Sequence, residues 1–213
     1  MGWPEFLFLL QGIKWTIALA AVGFVGGGVV GLAVALARSS GQPMLERASA
    51  WYVGLFQGTP LLMQLFVVYY GLALIGVELD AWAAVAIGFT LHASAFLGDI
   101  WRGGIEAVPR GQTEAARALS LGYVSRMKDV VMPQALRISL PATIGFLVQL
   151  IKGTSLASIV GFTELARAGN IVSNQIFKPL LVFGIVGAMY FLLCWPLSLY
   201  GSWMERRLAA PTR

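Results

Sequence analysis

Charged positions divide the chain into long apolar runs. No Asp, Glu, Lys or Arg occurs in 15–37, 48–77, 81–98 or 179–204, runs of 23, 30, 18 and 26 residues. At about 1.5 Å of rise per residue, each can cross roughly 30 Å of hydrocarbon as a helix. A fifth run, 138–151, has only 14 residues, yet beyond Lys152 the chain continues from Gly153 to Thr163 without another charge. The pattern predicts an all-α polytopic membrane protein with helices over 14–37, 51–76, 82–101, 137–158 and 179–204.

Whether the fifth run crosses is answered by where the basic residues fall. If it crosses, Arg38 and Arg47, six basic residues between 102 and 137, and Arg206, Arg207 and Arg213 share one face, eleven of the fifteen in the chain. The positive-inside rule then predicts five spans with the N-terminus outside and the C-terminus cytoplasmic. A cleaved signal peptide is the alternative for the start, but 15–37 is long for a signal core and no basic stretch precedes it, so it reads as a mature helix.

Composition narrows the function classes. The 213 residues are 58% hydrophobic and 12% charged, with a mean hydropathy of +0.76, which leaves too little polar surface for a soluble domain. Cys194 is the only cysteine and His92 the only histidine, so no disulfide, metal centre or catalytic set is expected, and no cofactor is implied. The net charge of +5 lies in loops between apolar runs, which argues for a membrane orientation signal and against nucleic-acid binding. No tandem repeat or linker interrupts 1–213, which reads as one domain. Gly23, Gly27 and Gly31 recur every four residues and predict one helix face that a second helix can approach closely, unless they only reflect the abundance of Gly in membrane helices.

The longest charged segment carries Pro109-Arg-Gly-Gln-Thr-Glu-Ala-Ala-Arg-Ala-Leu119, a helix-forming run that Pro109 opens and Gly122 is expected to close with a turn. A second run, with Val124, Met127, Val130 and Val131 at helical spacing, is expected to end before Pro133. Two short helices meeting between spans make either a solvated loop or a docking corner over 109–133.

Here the sequence resembles a known family. Glu114-Ala-Ala-Arg-Ala-Leu119 followed by Val130-Val-Met-Pro-Gln-Ala135 is similar to the EAA loop of binding-protein-dependent ABC importer permeases. Gln57-Gly-Thr-Pro-Leu-Leu-Met-Gln-Leu65, Gly98-Asp-Ile-Trp-Arg-Gly-Gly-Ile105 and Lys152-Gly-Thr-Ser-Leu-Ala-Ser-Ile-Val-Gly161 with Glu164-Leu165 resemble the polar-amino-acid subfamily. The resemblance implies a permease in a bacterial inner membrane, working with two cytoplasmic ATP-binding subunits, a second permease subunit of the same or a related chain, and an extracytoplasmic amino-acid-binding protein. It also implies that Glu114, Ala115, Ala116, Ala118, Leu119 and Gly122 form the coupling contact with the ATPases. Two departures stand out. Ser120 occupies the position where the family usually has Gly, which suggests a corner that turns later, at Gly122. Gln57 stands where an Arg is common, which favours neutral polar or basic amino acids over acidic ones.

An ionisable group at membrane depth signals work or a partner. Lys152, followed by Gly153, Thr154 and Ser155, is a candidate corner for a substrate α-carboxylate, and Glu164 is counted with the candidate substrate-binding residues; the competing readings are snorkelling and pairing of Lys152 with Glu164. In the second span Gln57, Thr59 and Gln64 flank Pro60, whose missing amide frees the Phe56 carbonyl either for a substrate ammonium or simply as part of a packing kink. His92 reads as a core residue, and Asp99 with Arg102 as an ion pair. No glycine precedes a lysine, so the P-loop ending is absent and ATP must be hydrolysed by another subunit. The rival readings are a proton-coupled secondary transporter using Asp99, Glu164 or His92, and a scaffold subunit without a substrate site.

Overall fold

The computed structural model describes residues 1–208; Arg213, counted above with the basic residues of one face, lies outside them. No strand occurs among the described residues. Four helices are long and apolar enough to span a membrane, α1 (Trp3–Arg38), α4 (Ala81–Glu106), α6 (Tyr123–Val160) and α8 (Pro179–Leu208), and a bent pair, α2 (Pro43–Gln57) and α3 (Leu61–Leu74), makes a fifth. Two shorter helices complete the described residues: α5 (Arg110–Ala118) and α7 (Leu165–Ile176).

The helix ends follow local chemistry. α1 starts well before position 14 because Pro4 suits its first turn and the Glu5 carboxylate accepts from Gly2 N–H at 2.6 Å. α4 starts where the Asp80 carboxylate accepts from Ala83 N–H at 2.8 Å. The second apolar run, expected to be one helix over 51–76, is instead broken, and its halves meet at 102°. The cause is local: α2 stops at Gly58, and Pro60, with φ −63° and ψ 137°, leaves the helical region and begins a new helix.

The fifth run does continue. α6 is one helical stretch of 38 residues that begins in the charged segment and passes through Pro133, correcting the expected stop before that residue. Pro133 has no amide for the Asp129 carbonyl, and the preceding turn, Arg126–Val131, widens to a π-helix that absorbs it. The last turns of α6, Thr154–Val160, tighten to a 3₁₀-helix that ends at Gly161 with φ +91°.

The glycine stripe is the main packing seam. α1 lies along α4, and a Cβ on Gly23 would sit 2.8 Å from the Phe89 Cβ, while one on Gly31 would sit 3.0 Å from the Ser94 carbonyl. Only residues without side chains permit that approach. Around the seam Leu19, Leu65, Val85, Phe89, Phe146 and Leu150 form the central core. Trp15, Trp82 and Phe162 cluster at one end of the bundle, with ring centroids 5.3–5.9 Å apart, and Arg38 and Asp99 pair at the other. Asp80 and Asp99 lie about 28 Å apart along α4, close to the thickness of a hydrocarbon layer.

Candidate functional site

At the charged end of the bundle α5 and the start of α6 form a protruding corner. α5 begins after Pro109, and Ala116 is its one buried residue. Its C-terminus closes by two bonds, Ser120 N–H to the Arg117 carbonyl at 2.8 Å and Leu121 N–H to the Ala116 carbonyl at 3.1 Å. This Schellman closure needs a left-handed residue, and that residue is Ser120, with φ +57°. The corner therefore turns at Ser120, not later at Gly122, which has an ordinary φ of −63° and caps the start of α6. Glu114 sits in the middle of α5 and cannot cap it.

The corner presents more than charge. Glu114, Ala115, Ala118 and Leu119 are exposed, and Leu119 and Val124 leave 76% and 74% of their surface open on either side of the turn. Behind α5 a cavity of about 590 Å³ is walled by Ile105, Glu106, Arg110, Glu114 and Arg117.

At the α2–α3 elbow, Gln64 does the capping. Its Nε2 lies 2.8 Å from the Phe56 carbonyl and 3.0 Å from both the Thr59 carbonyl and Thr59 Oγ1, and its Oε1 accepts from His92 Nδ1 at 3.0 Å. The carbonyl freed by Pro60 is thus already occupied, and Thr59 Oγ1 donates to the Leu55 carbonyl at 2.8 Å. The elbow's inner side lines an apolar cavity of about 250 Å³ with Leu55, Phe56, Met63 and Val67. Gln57 does not face that cavity. Its Nε2 lies 3.5 Å from Asp99 Oδ2, and Asp99 also pairs with Arg38 of α1 and, at 3.0 Å, with Arg102. The Gln57 position therefore bears on an intramolecular charge cluster, and the preference for neutral or basic substrates drawn from it is withdrawn.

The structure separates the remaining candidates. Lys152 is exposed and makes no ion pair among the described residues. It lies near mid-depth, since a Cβ on the adjoining Gly153 would be 3.8 Å from Phe89 and 3.2 Å from Leu61 at the elbow. Lys152 borders a groove of about 300 Å³ between α6 and α8, with Gln149, Ser198, Ser202 and Glu205. Thr154 turns away: it is fully buried, and its Oγ1 donates to the Ile151 carbonyl at 2.7 Å. The Ser155 hydroxyl donates to the Lys152 carbonyl at 2.8 Å. Glu164 is not paired with Lys152. It is 0% exposed, accepts from Ala166 N–H and Arg167 N–H at 2.8 and 2.9 Å at the start of α7, and accepts from the Tyr190 hydroxyl at 2.8 Å. Its carboxylate is a helix cap with its bonds filled.

Residues 27–210 match the family described as the binding-protein-dependent transport system inner membrane component. The chain belongs to that family. The permease is 36% identical over 207 residues to the L-cystine transport system permease protein TcyB of Bacillus subtilis (strain 168), covering 97% of this chain and 87% of that one. It is 33% identical to the arginine transport system permease protein ArtQ of the same organism, covering 96% and 94%. The crystal structure of an amino acid ABC transporter with histidines superposes with a TM-score of 0.87 at 31% identity, over 95% and 94% of the two chains. The permease is thus similar along nearly its whole length to amino-acid ABC transporter permeases, proteins of transport and not enzymes.

Three of its polar residues escape sequence reasoning. Gln149 is exposed one turn before Lys152, and the three-residue spacing alone could have placed both on one face. Arg38 meets Asp99 across 61 positions, and Tyr190 meets Glu164 across 26, pairings that no local pattern announces.

Proposed function

We propose that this chain is the membrane-spanning subunit of an ATP-driven amino-acid uptake system, and that it forms the translocation pathway with a second permease subunit. The carrying observation is the corner: a rigid turn closed at Ser120 that exposes Leu119, Val124, Ala115, Ala118 and Glu114 beyond the charged end of the bundle. A solvated loop has no reason to hold two large apolar side chains three-quarters open on a locked turn, whereas a groove in an ATP-binding subunit would bury them. The basic residues of that end favour a cytoplasmic placement, with the N-terminus of α1 outside, where an amino-acid-binding protein would deliver substrate. Closure of two ATP-binding subunits would draw two such corners together and tilt the spans, giving alternating access.

For the substrate we assign the exposed α6 face carrying Gln149 and Lys152. An ammonium at mid-depth without an ion-pair partner among the described residues is unfavourable against lipid, so this face belongs on a watered pathway or against the second subunit. A free amino acid offers the carboxylate that Lys152 lacks, and Ser155, at the same turn, stays within the site. Thr154 and Glu164 support the local fold instead, and Gln57, Thr59 and Gln64 shape the elbow beside the pathway. The relatives named for cystine and arginine agree with an amino-acid substrate. The test is Glu114→Lys in the reconstituted complex: permease inserts at normal levels and ATP-driven uptake is lost. Full uptake by this variant would overturn the docking role of the corner.

A further inference from the structure

From the end of α4, three residues before the coupling corner, to the elbow runs a set of polar contacts that neither transport nor docking requires by itself. Glu106 walls the cavity behind α5 together with Arg110, Glu114 and Arg117. One turn back along α4, Arg102 bonds both Glu106, through its Nη1, and Asp99, through its Nε at 3.0 Å. Asp99 then reaches two other helices at their ends: Arg38, the last residue of α1, and Gln57, the last residue of α2, directly before the break at Gly58–Pro60. Three members are partly buried, with Arg38, Arg102 and Asp99 side chains 20%, 24% and 32% exposed, so screening by water and salt is incomplete around Asp99, while Glu106 is 57% exposed. Its formal charges also balance, two guanidinium groups against two carboxylates, so the cluster can shift as a body without leaving an unpaired charge.

We propose that Asp99 is the pivot through which movement of the coupling corner reaches the elbow. This rests on the docking reading above. A displacement of α5 acts on the end of α4 through the three-residue connection 107–109, passes along one face of that helix through Glu106 and Arg102, and at Asp99 pulls on the end of α2 at the bend. Asp99 faces no substrate in this arrangement. It is a positioning residue, and its loss uncouples the two ends of the machine without disabling either.

The experiment uses the whole complex, permease with its ATP-binding subunits and binding protein, in liposomes, and reads amino acid transported per ATP hydrolysed. Asp99→Asn is expected to keep ATPase binding and hydrolysis and to lower that ratio about tenfold, the lower range for a hydrogen bond to a charged group. Asp99→Glu, which keeps the charge, is expected to recover most of it, and Arg102→Gln is expected to behave like Asp99→Asn. An unchanged ratio in Asp99→Asn overturns the pivot. So does a parallel loss of hydrolysis and transport that Asp99→Glu does not rescue, because that marks a residue needed only for folding. Failure of the wild-type permease to bind the ATP-binding subunits would instead overturn the docking reading.

Discussion

Replacing Leu119 by alanine measures the docking energy of the corner with little disturbance of the fold. The side chain is 76% exposed in the free subunit, so its truncation removes few internal contacts. Complete burial of a leucine is worth about 1.5–3 kcal/mol, and three-quarters of that, about 1–2 kcal/mol, remains to be gained when a partner covers it. Leu119→Ala should therefore weaken the ATP-binding subunit's affinity roughly 5- to 30-fold. The assay is a titration of purified ATP-binding subunit onto the permease in nanodiscs, with Leu192→Ala as a control. Leu192 is comparably exposed, at 67%, but lies on α8 beside Phe191 and Trp195 in an apolar stretch. Equal affinities for the two variants would refute the reasoning, since the corner would then bury nothing on binding.

Other consequences can be read from single positions. Ser120→Gly removes the strain of a left-handed serine, about 1–2 kcal/mol, against a flexibility loss of about 0.5–1 kcal/mol, so thermal unfolding should shift upward by a few degrees while uptake is kept; a downward shift would contradict the turn assignment. Gly27→Ile drives a side chain into Ala93 across the α1–α4 seam and should destabilise by about 1–3 kcal/mol in a detergent melting assay, whereas Gly184→Ala, where a Cβ meets nothing within 4 Å, should be nearly silent. Similar melting of the two would remove the close-packed seam. Lys152→Met should leave folding and the binding protein's affinity unchanged and slow uptake at least about tenfold. Wild-type transport by that variant would show that no carboxylate meets Lys152.

The parts legible in the sequence were those with a short period or an obligatory residue. Gly23, Gly27 and Gly31 were legible as one helix face because a four-residue spacing keeps residues on the same side of a helix, and that face is the one packed against α4. Charge-free lengths reveal helices because hydrocarbon excludes the alternatives. The size of the bend at 58–60 was hidden because no charge marks it: Pro60 announces a kink, and only backbone geometry separates a kink from a 102° elbow. The Schellman turn was misplaced for a similar reason. Gly122 is the better left-handed residue by type, but the register of α5 puts the reversal at Ser120. Among the polar groups, the residue types Gln64, Lys152 and Glu164 all suggest binding. Their roles separate only when partners are known: Gln64 caps the elbow, Glu164 caps α7, and Lys152 stays open.

The source of the driving force tests the central claim most directly. Proteoliposomes holding the permease with its ATP-binding subunits should accumulate labelled amino acid when ATP reaches the ATP-binding subunits and the binding protein is supplied on the opposite side. They should do nothing with a proton gradient alone. Uptake driven by a proton gradient in vesicles that contain only this chain would contradict the account.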